Sequence, residues 1–223
     1  MNRKKSQAVG MVWAGVLILL LGTNLSFGRV QGNKGDIAYT ELPETTSASR
    51  VASIEDFIVT GAGFYFKANV DAQTLLTIIE LQDVDGVVLD DLQKVVDSSL
   101  KNINAAVDSY SQLLDKAKST PYNQIVINQL SQFDYTDFRL KYGLSPDTFG
   151  KVEVYLRDGN ITGIFKEIYE NCLQIQKMLM AIKSDIEQNR MPELSVCWQL
   201  NEKFAESSLF GSYAARVFYA IDK

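Results

Sequence analysis

The chain has 223 residues, of which 46% are hydrophobic and 22% are charged, and its formal net charge is −5. This length and apolar fraction fit one globular domain, or at most two small ones, and exclude a wholly disordered chain. The acidic balance argues against a nucleic-acid-binding protein. Because the sequence contains no histidine, it offers no Ser-His-Asp or Cys-His nucleophile, no HExxH zinc site and no histidine-ligated di-iron site.

The first 28 residues have the pattern of a secretory signal. A basic start at residues 3–5 precedes an uncharged apolar stretch at 8–21, and Ser26 and Gly28 are the small residues preferred at −3 and −1 of a cleavage site. The apolar stretch has 14 residues, fewer than the roughly 20 that span a bilayer. We therefore predict a cleaved signal and an exported protein, periplasmic or extracellular. The alternative is an uncleaved N-terminal anchor, since residues 22–27 could extend the apolar run.

Removal of the signal makes the chain more acidic. Residues 1–28 carry three basic and no acidic side chains, so a chain that begins at Arg29 has a formal charge of −8. Such a protein is not drawn to nucleic acid or to anionic lipid. The partner we predict is another envelope or secreted protein, and membrane contact is expected only if the signal stays uncleaved.

The remaining chain divides into a lead-in and a helical domain. Residues 29–50 are rich in Gly, Thr, Ser and Glu and have no sustained period, which predicts a flexible lead-in. Within the domain, 51–223, apolar residues recur at the 4-3 spacing of a packed helix. This spacing predicts four long helices, at about 51–81, 87–117, 161–188 and 192–221. In the second helix the predicted core stripe is Val96, Leu100, Ile103, Val107, Tyr110, Leu114 and Ala117.

The connections between these helices predict the topology. Short links at 82–86 and 189–191 make each pair an antiparallel hairpin. A longer crossover, 119–160, joins the two pairs, and its helix signals are Pro121 at a start, Gly143 at an end, Ser145 with Pro146 at a start, and Asn160 as the cap of the third long helix. The predicted fold is therefore all-α, an antiparallel four-helix bundle of two long helical hairpins joined by a helical crossover.

One acidic segment has a weak likeness to a calcium loop. Asp83 and Asp85 precede Gly86, and Asp90 and Asp91 follow. A calcium loop of the EF-hand type also needs a third Asx ligand and a terminal Glu, which are missing here. The alternative is a polar turn, with Asp90 and Asp91 beside the positive end of the second long helix. No cofactor and no metal site are predicted.

Small residues interrupt the apolar stripes of the first and last long helices. Gly61 and Gly211 fall at nearly the same level if both short links lie at one end of the bundle, and Tyr65, Tyr110 and Tyr169 lie within a turn or two of that level. Missing side-chain volume beside aromatic rings predicts a ligand site for a small apolar molecule. The alternative is close packing, in which small residues face bulky ones.

The sequence favours a non-enzymatic role. It contains no recognisable catalytic constellation, and long helices offer extended surfaces for another protein. We predict an exported helical-bundle protein of the cell envelope with an interaction or structural role; the alternative is a carrier or sensor that holds a small apolar ligand between its helices. Cys172 and Cys197 are predicted to be free thiols, because a simple hairpin offsets them by roughly 16 Å along the helix axis.

Overall fold

The computed structural model describes residues 54–81 and 89–221, and within these ranges it contains seven helices and no strand. The all-α prediction is confirmed for this part of the chain. The predicted signal, the whole predicted lead-in with its boundary at 50/51, and the Asp83–Asp85 segment lie outside the described residues. The helices are α1 (Ile54–Glu80), α2 (Leu89–Lys118), α3 (Gln124–Gln132), α4 (Tyr135–Tyr142), α5 (Pro146–Arg157), α6 (Ile161–Glu187) and α7 (Leu194–Ile221).

Local signals explain most of the helix ends in the crossover. Gly143 ends α4 in the left-handed conformation, with φ of 60°, which glycine adopts without steric cost. The Asn160 side chain caps α6 by accepting a hydrogen bond from the Gly163 amide at 2.9 Å. The predicted start at Pro121 is wrong. α3 begins at Gln124, because Asn123 provides the cap by accepting from the amide two residues later.

The four long helices contact one another in a closed order: α1 packs on α2, α2 on α6, α6 on α7, and α7 on α1. Hydrogen bonds to α1 backbone carbonyls join it to both of its neighbours. The Ser99 hydroxyl of α2 donates to the Ala68 carbonyl at 3.0 Å, and the Asn201 amide of α7 donates to the Ala72 carbonyl at 3.2 Å. Each of the four helices therefore has two long neighbours.

The end of α1 and the start of α2 lie at the same end of the molecule as the end of α6 and the start of α7. Asn201 is close to the start of α7 and its partner Ala72 is close to the end of α1. Lys183, near the end of α6, forms an ion pair of 2.6 Å with Asp97, near the start of α2. This is the condition under which Gly61 and Gly211 were expected to share a level.

The core stripe of α2 differs from the prediction. The buried positions include Ser99, Ala106 and Leu113, whereas Leu100, Val107 and Leu114 are only half-buried. Ser99 and Ala106 are small, which lets the α1 and α2 backbones approach each other. The Ser99 hydroxyl donates a hydrogen bond to the Ala68 carbonyl of α1. The apolar stripes that the same spacing predicts from Ile54 to Ile79 in α1, from Ile161 to Ile186 in α6 and from Cys197 to Phe218 in α7 are buried, apart from half-buried Ile54 and Ile168.

The crossover covers one side of the long helices through aromatic contacts. Phe149 of α5 lies 6.0 Å from the ring of Tyr213 and 6.2 Å from the ring of Tyr135 between centroids. The Tyr213 hydroxyl also accepts a hydrogen bond from the Ser145 amide at 3.3 Å. Within residues 54–81 and 89–221, no helix has both the length and the apolar character needed to cross a membrane.

Candidate functional site

A small cavity lies between the four long helices, and all four contribute to its wall. Its volume is about 40 Å³. Three of the predicted site residues, Tyr65, Tyr110 and Gly211, line it. The complete lining is Ile58, Ala62, Tyr65, Tyr110, Ile164, Phe165, Ile168, Ser207, Ser208, Gly211 and Ala214.

Tyr65 connects α1 to α7 at the edge of this cavity. Its hydroxyl donates a hydrogen bond of 2.7 Å to the Phe204 carbonyl, and its ring meets the Phe204 ring edge-on with centroids 5.2 Å apart. Burial raises the pKa of Tyr65, and the neighbouring hydroxyls of Ser207 and Ser208 partly oppose this rise. The phenol therefore stays protonated and serves as a hydrogen-bond donor.

Gly61 makes room for the ring of Tyr110. A β-carbon on Gly61 would stand 2.9 Å from two atoms of that ring, which is closer than van der Waals contact allows. Here the small residue faces a bulky one, so the packing interpretation holds at Gly61. Burial, above all, raises the pKa of Tyr110 well above its ordinary value, and Cys172 and Tyr65 add to the rise.

One polar group on the cavity wall lacks a partner. Ser208 is 6% exposed, and although its hydroxyl lies near that of Tyr65, it makes no hydrogen bond of acceptable geometry with any described residue. The Ser212 hydroxyl makes none either, but Ser212 is not part of the cavity wall. Tyr169 is half-buried and does not line the cavity either.

A larger concave site lies on the surface between α4 and α7, and we call it the α4–α7 groove. Its volume is about 690 Å³, within the range of roughly 300–1,000 Å³ that is typical of ligand pockets. Aromatic rings and charged side chains share its wall. The lining residues are Phe133, Asp134, Asp137, Phe138, Lys141, Tyr142, Arg216, Tyr219 and Ala220.

The charged groups of the groove are not all engaged in the fold. The Asp134 carboxylate caps α4 by accepting from the Asp137 amide at 2.9 Å, and Lys141 lies 5.5 Å over the ring of Tyr142. Arg216 is half-buried and forms no ion pair within 4.0 Å with a described residue. A guanidinium in this position can donate two parallel hydrogen bonds to a carboxylate.

The sequence interpretation missed the groove. Aromatic residues at 133, 135, 138 and 142 and the aromatic residues of the last helix, among them Tyr219, are visible in the sequence. That α4 and the end of α7 share one groove is a tertiary property, which these signals do not give. The exposed aromatic residues of the α4–α7 groove are Tyr142, which is 51% exposed, and Tyr219, which is 44% exposed.

Neither cysteine is placed for chemistry. Cys172 and Cys197 are free and buried, and burial raises their pKa to about 12 and about 11, respectively. Buried thiols of this kind are unreactive. Among the described residues, no group of three or more cysteine, aspartate or glutamate side chains could hold a metal ion.

Comparison of the chain with protein-family models, with curated proteins and with solved structures finds no match. The function is therefore inferred from the geometry of the cavity and of the α4–α7 groove.

Proposed function

We propose that the protein is an exported, non-enzymatic helical-bundle protein that binds a segment of another envelope or secreted protein in the α4–α7 groove. The observation that carries this proposal is the groove itself: a concavity of about 690 Å³ that combines exposed aromatic rings with Arg216. Aromatic residues and arginine are enriched in the parts of interfaces that contribute most to affinity.

The arrangement of the long helices is part of the proposal. The closed order of contacts, together with the neighbouring ends of α1, α2, α6 and α7, supports an antiparallel four-helix bundle of two hairpins. In such a bundle the crossover helices stand outside the four-helix core. This leaves α4 beside α7, where a groove can accept a partner without opening the core.

Export is supported by the sequence of the first 28 residues alone. N-terminal sequencing of the protein from its host tests it: a mature chain that starts near Arg29 is expected in the periplasmic or extracellular fraction. An intact N-terminus in the membrane fraction would instead identify an anchor.

Site-specific photo-crosslinking in the native host tests the groove. A photoreactive amino acid at Tyr142 or Tyr219 is expected to give a discrete adduct with one protein. The matched control is Val154, which is 62% exposed on α5 and outside the groove. Arg216→Ala is expected to weaken adduct formation about tenfold or more, because a good charge-assisted contact contributes roughly 1.5–3 kcal/mol.

The partner found in this way is then purified and its affinity for the full chain is measured by calorimetry. Equal crosslinking at positions 142 and 154, or equal affinity of the Arg216→Ala variant, would refute the proposed groove function.

The alternative function, a carrier or sensor for a small apolar ligand, has less support. The cavity lies at the level that the sequence predicts, but its volume is about 40 Å³. An apolar cavity that binds benzene has about 150 Å³. A carrier role would therefore require the four helices to move apart.

A further inference from the structure

We infer that the cavity between the four long helices is a binding site for water, which hydrogen-bonds the Ser208 hydroxyl, rather than a site for an apolar ligand. Two independent observations point to it: the cavity, and a buried hydroxyl on its wall that has no partner in the described structure.

Burying the Ser208 hydroxyl without a hydrogen bond costs free energy. A buried hydroxyl loses its hydrogen bonds to bulk water, and nearly all such groups in native proteins recover a partner from the protein or from an ordered water. The hydroxyl of Ser208 finds no such partner among the described residues. A water molecule in the adjacent cavity supplies the missing hydrogen bond.

The wall of the cavity carries other hydroxyl groups that can bind a water molecule. A buried water needs two to four polar partners. Besides Ser208, the lining includes Tyr65, Tyr110 and Ser207, each of which carries a hydroxyl. Because the Tyr65 hydroxyl already donates to the Phe204 carbonyl, its oxygen is left to act as an acceptor. The wall therefore provides both donors and acceptors.

The cavity is large enough to hold water. A water molecule requires roughly 10–15 Å³ of cavity, so a volume of about 40 Å³ admits one to three molecules. The remaining wall is apolar, which fixes the water beside the hydroxyl groups of α1, α2 and α7 instead of letting it exchange positions freely.

The chain contains a matched control for this inference. Ser208 and Ser212 lie four residues apart on α7, both are buried, and neither hydroxyl has a partner among the described residues. Only Ser208 lines the cavity. The alanine variants of the two serines therefore differ in whether a water-mediated bond is removed.

Urea unfolding of the full chain and of both variants is the first test. Ser208→Ala is expected to lower the urea midpoint, because it removes a hydrogen bond to the bound water. Ser212→Ala is expected to leave the midpoint unchanged or raise it, because it removes a hydroxyl that has no partner. A Ser208→Ala effect that is no more unfavourable than that of Ser212→Ala overturns the inference.

Xenon is the second probe, since it binds in dry apolar cavities. A crystal of the full chain under xenon pressure is expected to show no xenon between Ser208 and Tyr110, and a crystal without xenon is expected to show ordered water there. Bound xenon, or an empty cavity at high resolution, overturns the inference.

Discussion

The ring of Tyr110 occupies the space that a side chain on Gly61 would fill, with ring atoms 2.9 Å from the position of the missing β-carbon. Gly61→Ala must displace this buried ring, so we expect a loss of stability of about 1–3 kcal/mol, as in other overpacked cores.

Gly63, two residues along the same helix, is the control for this prediction. A β-carbon there meets nothing within 4 Å, so Gly63→Ala is expected to gain about 0.5–1 kcal/mol from helix propensity. Urea or thermal unfolding of both variants measures the difference. Stabilisation of the same size at both positions would show that the Tyr110 ring is not confined against Gly61.

Leu113 and Leu114 distinguish the observed register of α2 from the predicted one. Leu113 is fully buried and Leu114 is half-buried. Leu113→Ala should cost about 2–5 kcal/mol, because it leaves a cavity in the core, and Leu114→Ala should cost clearly less. The free energy of unfolding, measured for both variants, tests this. A larger cost for Leu114→Ala would restore the register predicted from the sequence.

Tyr65→Phe removes a single buried hydrogen bond, the one from the Tyr65 hydroxyl to the Phe204 carbonyl. We expect a loss of about 0.5–1.5 kcal/mol. Tyr142→Phe is the control, since Tyr142 is 51% exposed and surface changes usually stay within about 0.5 kcal/mol. Thermal unfolding compares the two. Equal effects would mean that the bond between α1 and α7 contributes nothing measurable.

The two thiols should resist alkylation in the folded protein. Burial raises the pKa of Cys172 to about 12 and that of Cys197 to about 11, so neither forms the reactive thiolate at pH about 8. Iodoacetamide followed by mass measurement is expected to label neither site in the native chain and both sites in urea, without a reductant. Rapid labelling of the native protein would place a thiol at the surface.

The same pKa shifts have a consequence for stability against pH. The folded state favours the protonated thiol, so this contribution is fully present below the ordinary pKa of 9.0 and is lost as the pH rises through the folded value. Burial raises the pKa of the Tyr65 and Tyr110 phenols as well, which acts in the same direction. Unfolding measured from pH 8 to pH 11 is therefore expected to show little change in stability up to about pH 9 and a decrease above it.

The sequence predicts the helices well because their signals are local. The 4-3 spacing, the Gly143 end and the Asn160 cap each depend on residues within one or two turns. In α2, four of the seven predicted stripe positions are buried, whereas Leu100, Val107 and Leu114 are only half-buried. The burial of Ser99 in place of Leu100 depends on the Ala68 carbonyl of another helix.

For the candidate sites, too, the sequence predicts the local features and not those that depend on how the helices pack. Counting residues from the links was enough to place Tyr65, Tyr110 and Gly211 at one level, since rise per residue is constant in a helix. Counting could not give the size of the cavity, which depends on how the four helices pack. It also could not place Arg216 in one groove with Tyr142, because they belong to elements that the chain connects only through the crossover and α6.

The contact between α1 and α7 closes the fold across nearly the whole described chain, since Tyr65 and Phe204 are 139 residues apart. Contacts of such separation carry a large loop-closure entropy and form late. A chain that is still being synthesised has no partner for the α7-facing side of α1 until residues beyond 204 have emerged. The α7-facing side of α1 is therefore covered only once α7 has been synthesised, which leaves the earlier helices open to chaperones until then.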